Sequence, residues 1–243
     1  YIDGEDSKLW GSKAVERLRE AVQRDFSKDM VNWENSSSYH LFNFDLFVAI
    51  EKTLLNKFND SLGTDFQKLI DKGIDYMVYL SKPDLYFPTI GDGSKFSISS
   101  IKSHTSYKYV KNHEKLKYVL SNGEEGKAPD ELCKVYPDEG YAFFRNSWDY
   151  KNKKEITYAS FVAGYKIKNH KHGDDLSFTL FSKGKDIFVD CGTFTYQAGD
   201  YRRHFMSSLA HNTVIVDGGS YPFIQGDPAK IGIIDFGEKT EYS

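Results

Sequence analysis

Apolar residues in the first third of the chain recur at helical spacing. Ala14, Val15, Leu18, Ala21 and Val22 fall three and four apart, and Ser12 ahead of them is the expected cap. A second stripe runs through Phe44, Phe47, Val48, Leu54, Leu55 and Phe58, with Gly63 as the break. A third helix is predicted from about Asp65 to Leu80, with Phe66, Leu69, Ile70, Ile74, Met77 and Val78 on one face and Pro83 beyond its end. Such helices joined by short turns predict stacked helical hairpins.

From 84 to 139 no clean period is present. Lys-rich and Ser-rich pieces alternate and Asn122-Gly123 reads as a turn, so this stretch is expected to be an irregular connector. After Gly140 the texture changes to short aromatic and β-branched runs. Tyr141–Trp148, Thr157–Ala163, Leu176–Phe181, Asp186–Asp190 and Asn212–Val216 read as strands. The expected units are therefore helical over 1–83, connecting over 84–139 and antiparallel β over 140–243. Helices followed by strands indicate an α+β arrangement rather than alternating α/β. No internal repeat is evident.

Composition narrows the function classes. Of 243 residues, 16% are aromatic, including 17 Tyr and 18 Phe. Core packing is the default use of such rings, although their faces also stack on sugars. The net charge of −3 carries no nucleic-acid footprint. Residues 165–204 hold seven Lys/Arg against five Asp, a small local excess that would suit an acidic ligand. Two cysteines, Cys133 and Cys191, make neither a disulfide framework nor a metal-ligand spacing. No apolar run is long enough to span a membrane, and no signal peptide is present. The chain opens on Tyr-Ile-Asp rather than Met, so its true N-terminus is expected further upstream.

Two constellations carry candidate chemistry. The first is Asn169-His170-Lys171-His172-Gly173-Asp174-Asp175-Leu176-Ser177-Phe178. In an extended chain residues two apart face the same side, so His170 and His172 would project together. Such a pair can bind a metal, or one imidazole can bind while the other transfers protons. Asp190 closes an apolar run, and His211 opens Ala210-His211-Asn212-Thr213-Val214 at an expected strand entrance. Two imidazoles and a carboxylate suit Zn²⁺. The plainer readings are that Asp190 caps a turn and His211 is a hydrogen-bonded core residue. The second constellation, Asn32-Trp33-Glu34-Asn35-Ser36-Ser37-Ser38-Tyr39-His40, places a phenol, an imidazole and a carboxylate in a polar turn before the second helix. Ser37 or Ser38 would there serve as a helix cap.

These segments resemble the heparinase II/III-like polysaccharide lyases. Asn169 to Phe178 is similar to the family's His-x-His-x-Asp-x-Leu-Ser-Phe stretch. Val189 to Tyr196, Tyr201-Arg202-Arg203 and Ser207 to Asp217 continue the likeness. Glu34 to His40, Phe87-Pro88-Thr89-Ile90-Gly91-Asp92 and Gly140 to Arg145 resemble further family pieces. The resemblance implies the end of an incomplete α/α toroid followed by antiparallel β-sandwich sheets, here truncated. It implies cleavage of uronic-acid polysaccharides by β-elimination, in the periplasm or outside the cell. That chemistry must neutralise the uronate carboxylate, remove the C5 proton and protonate the leaving oxygen.

Carried over by resemblance, Tyr39 is the expected base or acid, and His170 its partner base or the carboxylate neutraliser. His40 assists Tyr39 or simply packs. His172, Asp190 and His211 are the implied ligands of a structural Zn²⁺. Tyr196, Arg203 and Glu34 are the implied substrate contacts. The family also draws an Asn or His neutraliser from earlier in the toroid, and no equivalent precedes Glu34. A complete sandwich would need more strands than the residues before Ser243 supply, so the chain is expected to be a fragment. Two other classes stay open: a non-catalytic glycan-binding or assembly protein, and a cupin-type enzyme in which His170, His172 and His211 all hold a catalytic metal.

Overall fold

The computed structural model describes residues 4–221 and 231–235. Three long helices come first: α1 (Glu5–Asp25), α2 (Ser37–Phe58) and α3 (Phe66–Leu80). The apolar spacing placed the stripes correctly, but α1 starts earlier than expected. Ser12 is not its cap; it lies within the helix, its hydroxyl donating back to the Leu9 carbonyl. α1 rests on its neighbours through Val15, Leu18, Ala21 and Val22, and leaves Leu9 and Trp10 exposed.

α3 carries the core. Phe66, Ile70, Ile74, Met77 and Val78 are all fully buried, each contributing roughly 1.5–3 kcal/mol. Its crossing with α2 is close because residue 73 is glycine: a Cβ there would fall 2.7 Å from the Phe44 ring. The buried carboxylate of Glu51 on α2 takes the Ser61 hydroxyl and the Leu62 amide, fixing the turn into α3.

The stretch expected as a connector has more structure than its pattern predicted. It holds the short helices α4 (Tyr107–Val110) and α5 (Glu114–Leu120), and also the first strand, β1 (Cys133–Tyr136). β2 (Tyr141–Arg145), β3 (Tyr158–Val162), β4 (Ser177–Ser182) and β5 (Lys185–Phe188) follow. Each strand pairs antiparallel with the next, in the order β1-β2-β3-β4-β5. Among the described residues this is the one sheet present. The helix-then-antiparallel-sheet order is therefore as expected.

Asn212–Val216 does not form the expected strand. Its β-branched residues find no ladder partner among the described residues; Val216 makes only an isolated bridge to Gly219. Asn212 instead donates its side-chain amide to the carbonyls of Phe178 and Val189.

Helices and sheet meet through rings. Tyr76 on α3 packs edge-on against Tyr136 and Phe143, and Tyr79 against Trp148. Tyr158 donates its hydroxyl to the Leu80 carbonyl, and Arg145 donates to Ser81 while stacking 3.6 Å from the Trp148 centroid. On the opposite face Phe144, Phe178 and Phe188 are exposed.

His40 belongs to this core and not to a cleft. It is 1% exposed, packed among Phe26, Phe44 and Tyr76, and its Nδ1 accepts from the Asn32 amide. On a helix, adjacent residues point about 100° apart, so His40 turns inward where Tyr39 turns outward. Burial pushes its pKa from 6.5 down to about 3, with a backbone bond at Gly73 only partly opposing. The folded chain thus resists protonation that the unfolded chain accepts. Stability should fall as pH drops below the unfolded value, losing roughly 3 kcal/mol by about pH 4.5 through this group. Denaturant titrations at neutral pH and about pH 4.5 should show a smaller loss for His40→Asn, which retains an acceptor. Equal losses in the variant and the parent would refute the assignment.

Candidate active site

The site assembles where four segments converge: the start of α2, the turn at 87–93, the β3–β4 connection, and the turn after β5 with the helix that follows. α6 (Asp200–Met206) is that helix. The β3–β4 connection is long for an antiparallel link, a length that marks functional loops.

Asn35 joins the first and third segments. It sits in the left-handed region (φ 52°), and its side-chain amide donates to the carbonyls of Ile167 and Asn169 at 2.7 and 2.9 Å. The serines that follow do not cap α2. The Ser37 hydroxyl donates to the Pro88 carbonyl at 2.6 Å, docking the helix start onto the second segment. Glu34 accepts from Asn43 on the same helix and so braces this corner.

Gly91 fixes the second segment. Its φ is +57°, and a Cβ would come 2.1 Å from the Asn35 carbonyl and 2.6 Å from that of His170. Only a residue without a side chain fits. The next amide, of Asp92, donates to the His170 carbonyl at 3.0 Å.

Asp92 is the centre of the arrangement. It is 2% exposed, and both its oxygens are used twice. Oδ1 accepts from His172 Nε2 at 2.9 Å and from Arg202 Nη1; Oδ2 accepts from His170 Nδ1 at 3.0 Å and from Arg202 Nη2 at 2.8 Å. Burial alone would raise this carboxyl's pKa, but the bonds from His172, Arg202 and His170 outweigh it and hold it well below the carboxylate range. The group is therefore ionised and accepts only.

His170 and His172 do meet, though not as neighbours on a strand. His170 lies in a turn with φ 55°, and both rings reach the same carboxylate. The His170 ring stacks on Tyr39, centroids 4.0 Å apart and planes 21° apart. The Tyr39 hydroxyl lies 3.1 Å from that of Tyr196, whose ring stands edge-on to His170. Tyr39 and Tyr196 line an open cleft of about 380 Å³ with Ser38, Phe42, Asp92, Ser94 and Thr193.

Arg203 does not belong to this group. It is exposed and pairs with Asp200 one turn back, while Arg202 takes the inward position, its guanidinium also 5.1 Å from the Tyr196 ring centroid. The pair was legible in the sequence, but which arginine faces inward depended on where α6 begins.

Behind Asp92 lies a second cluster. His211 donates Nδ1–H to Asp190 Oδ2 at 2.8 Å, and Asp190 Oδ1 takes the Gly192 amide in a turn. Burial opposes charge on His211, yet the bond and charge of Asp190 outweigh it and raise its pKa. His211 follows a short helical turn at Ser208–Ala210 rather than opening a strand. The His172 and His211 rings are 5.3 Å apart, and each has one buried nitrogen without a partner among the described residues: Nδ1 of His172 and Nε2 of His211. Cys191 joins this group, since donor atoms of Asp190, Cys191 and His211 lie within 4.8 Å of one another. Burial and the Asp190 charge push the Cys191 thiol up to about 12. Asp190, Cys191 and His211 thus offer a donor set that fits a divalent metal, while His172 lies outside that set, its ring beside that of His211.

Two family profiles match in order, together spanning nearly all of the chain. The heparinase II/III N-terminus matches residues 4–118, and the heparinase II/III-like C-terminal profile matches residues 128–232. The chain belongs to the heparinase II/III-like family. A heparin-sulfate lyase of Pedobacter heparinus is 25% identical over 229 residues, covering 89% of this chain and 33% of the relative. One from Bacteroides stercoris is 24% identical, with the same shares covered. A solved heparinase III structure superposes with a TM-score of 0.77 at 25% identity, over 90% of this chain and 34% of that one. The chain thus spans about a third of the length of the relatives it matches.

Asp92, Arg202 and Asn35 are the positions that residue pattern alone did not single out. Asp92 lay inside a segment quoted for its family likeness, and its neighbours Gly91 and Gly93 were the available signal of a tight functional turn. Arg202→Ala should destabilise the protein by about 1.5–3 kcal/mol, because a buried charge loses its partner. Arg203→Ala should cost under about 1 kcal/mol, as exposed pairs do. Thermal or denaturant unfolding of the two variants separates them; similar losses would contradict the assignment of Arg202.

Proposed function

We propose that the whole protein is a polysaccharide lyase that cleaves a uronic-acid-containing glycan by β-elimination. The observation that carries this reading is the stacked Tyr39–His170 pair, whose Tyr39 lines the cleft and whose His170 is held by ionised Asp92. The reaction breaks the C5–H bond and the C4–O bond and forms a C4=C5 double bond. Tyr39 and His170 supply the base and the acid between them. With Nδ1–H committed to Asp92, His170 offers Nε2 to the substrate. Tyr196, within hydrogen-bond reach of Tyr39, orients that phenol and contacts sugar. Arg202 is committed to Asp92, so another group must neutralise the uronate carboxylate. The heparin-sulfate lyase relatives support an acidic glycan as substrate class.

We assign His172, Asp190 and His211 as the holders of a Zn²⁺ ion, with Cys191 as an adjoining donor. The ion would supply a cross-link between the His170 loop and the turn after β5, not a step of the reaction. Two features favour this over a catalytic cupin-type site: the His170 ring stacks on Tyr39, and its Nδ1 is occupied by Asp92.

Incubating the whole protein with a panel of uronate glycans should raise ultraviolet absorbance from the unsaturated product. Tyr39→Phe should lower turnover by about 10²–10⁴ without altering the fold. His170→Ala should lose turnover but keep the metal, whereas His172→Ala and His211→Ala should lose metal on direct analysis. Glycan binding without chain shortening, unaffected by Tyr39→Phe, would replace the lyase with a binding protein. Loss of metal in His170→Ala would restore the cupin-type reading.

A further inference from the structure

Asp92 contacts both histidines of the site with one side chain. Its two oxygens divide the imidazoles by nitrogen: Oδ2 faces Nδ1 of His170, and Oδ1 faces Nε2 of His172. Arg202 clasps both oxygens, so the carboxylate is ionised and each imidazole must be the donor.

We propose that Asp92 is a positioning residue that locks the two histidines in opposite tautomers and so couples the metal-holding imidazole to the catalytic one. The inference rests on the lyase reading for the role of His170 and on the zinc assignment for that of His172; for neutral rings facing an ionised carboxylate, the donor nitrogens follow from the hydrogen bonds. His172 protonated on Nε2 leaves Nδ1 with a free lone pair, and that is the buried nitrogen with no partner among the described residues, beside His211. His170 protonated on Nδ1 leaves Nε2 to exchange a proton with substrate. Carboxylates behind metal-bound imidazoles fix tautomer and raise ligand basicity. Here one carboxylate does so for a ligand and for an acid–base group together. It does so from a buried position, with its oxygens held by four donors.

Sequence separation explains why such coupling is useful. Asp92 lies in a turn after the helices, and the histidines lie in the β3–β4 connection. A shift of the sheet relative to the helices would release both rings at once. The Asn35 bonds to residues 167 and 169 hold the same loop from the other side.

The test uses the whole protein. Long-range proton–nitrogen NMR of the imidazoles, without metal, should find His170 protonated on Nδ1 and His172 on Nε2. Asp92→Asn is isosteric but offers one acceptor oxygen in place of two. It should weaken zinc affinity by about tenfold or more and lower kcat by about tenfold or more with little change in KM. His170→Ala should lower kcat without touching zinc affinity. Wild-type His170 protonated on Nε2 would overturn the proposal. So would an Asp92→Asn protein in which only one of zinc affinity and kcat falls, because the claim is that they fall together. Should Asp92→Asn not fold, the wild-type tautomers decide. A wild type inactive on every uronate glycan would sink the lyase reading, while the tautomers and zinc affinity would still decide the role of Asp92.

Discussion

A carboxylate taken out of water costs several kcal/mol unless it is paired and fully hydrogen-bonded. Asp92 meets that condition only because four donor hydrogens, from two histidines and one arginine, converge on it. Those donors come from the β3–β4 connection and from α6, and the carboxylate itself from the end of the helical half. The charge therefore cannot be buried unless all three segments are in place. Everything else at the site follows from that condition: His170 is turned toward Tyr39, His172 toward His211, and Arg202 under Tyr196. Removing any donor leaves the others facing an undercompensated charge, which is why the cluster behaves as one unit.

The fold was legible where periodicity was strong. α3 appeared at nearly its true bounds because its apolar residues repeat at the helical period and turn residues flank it. β1 was not legible: four residues, Cys133–Tyr136, are too few to show alternation, and their burial depends on pairing with β2. Asn212–Val216 misled for the converse reason, since β-branched residues make a strand only beside a partner. Within the site, Tyr39, His170, His172, Asp190 and His211 were reached through motif likeness. Asp92 lay within such a segment but carried no expected role, because its partners are 78 to 110 residues away and no local rule connects them. Arg202 and Arg203 show the finer limit: a one-residue step on a helix rotates a side chain by about 100°, and the sequence did not say which arginine faced inward.

The aromatic residues divide into two populations. One, including Tyr76, Tyr136, Tyr141, Phe143, Trp148 and Tyr158, forms the seam between α3 and the sheet. These rings hold helices and sheet in one register, and through that register they hold Tyr39 opposite His170. The other population is open to solvent: Phe42 and Tyr196 border the cleft, and Phe194 and Tyr201 lie near it in sequence. Composition alone favoured the core use, and the seam agrees. The exposed minority is where stacking on sugar rings is sterically open.

The alternation expected from His-x-His survives in altered form. His170 and His172 reach one carboxylate, while Lys171 between them points away into a pocket of its own, ion-paired with Asp174 and Asp175 beneath the Tyr165 ring. Lys171 is fully buried, and the two carboxylates and their hydrogen bonds outweigh burial and keep its pKa raised. A buried pair of this kind is weak evidence for stability but strong for geometry, since a charged lysine has nowhere else in the core to go. The loop is thus pinned in two directions by carboxylates: Asp92 holds the histidines forward, and Asp174 and Asp175 hold the intervening lysine back. A strand would have fixed the same alternation through its ladder. Here the backbone turns at His170, and buried ionic contacts do the work that ladder bonds would otherwise do.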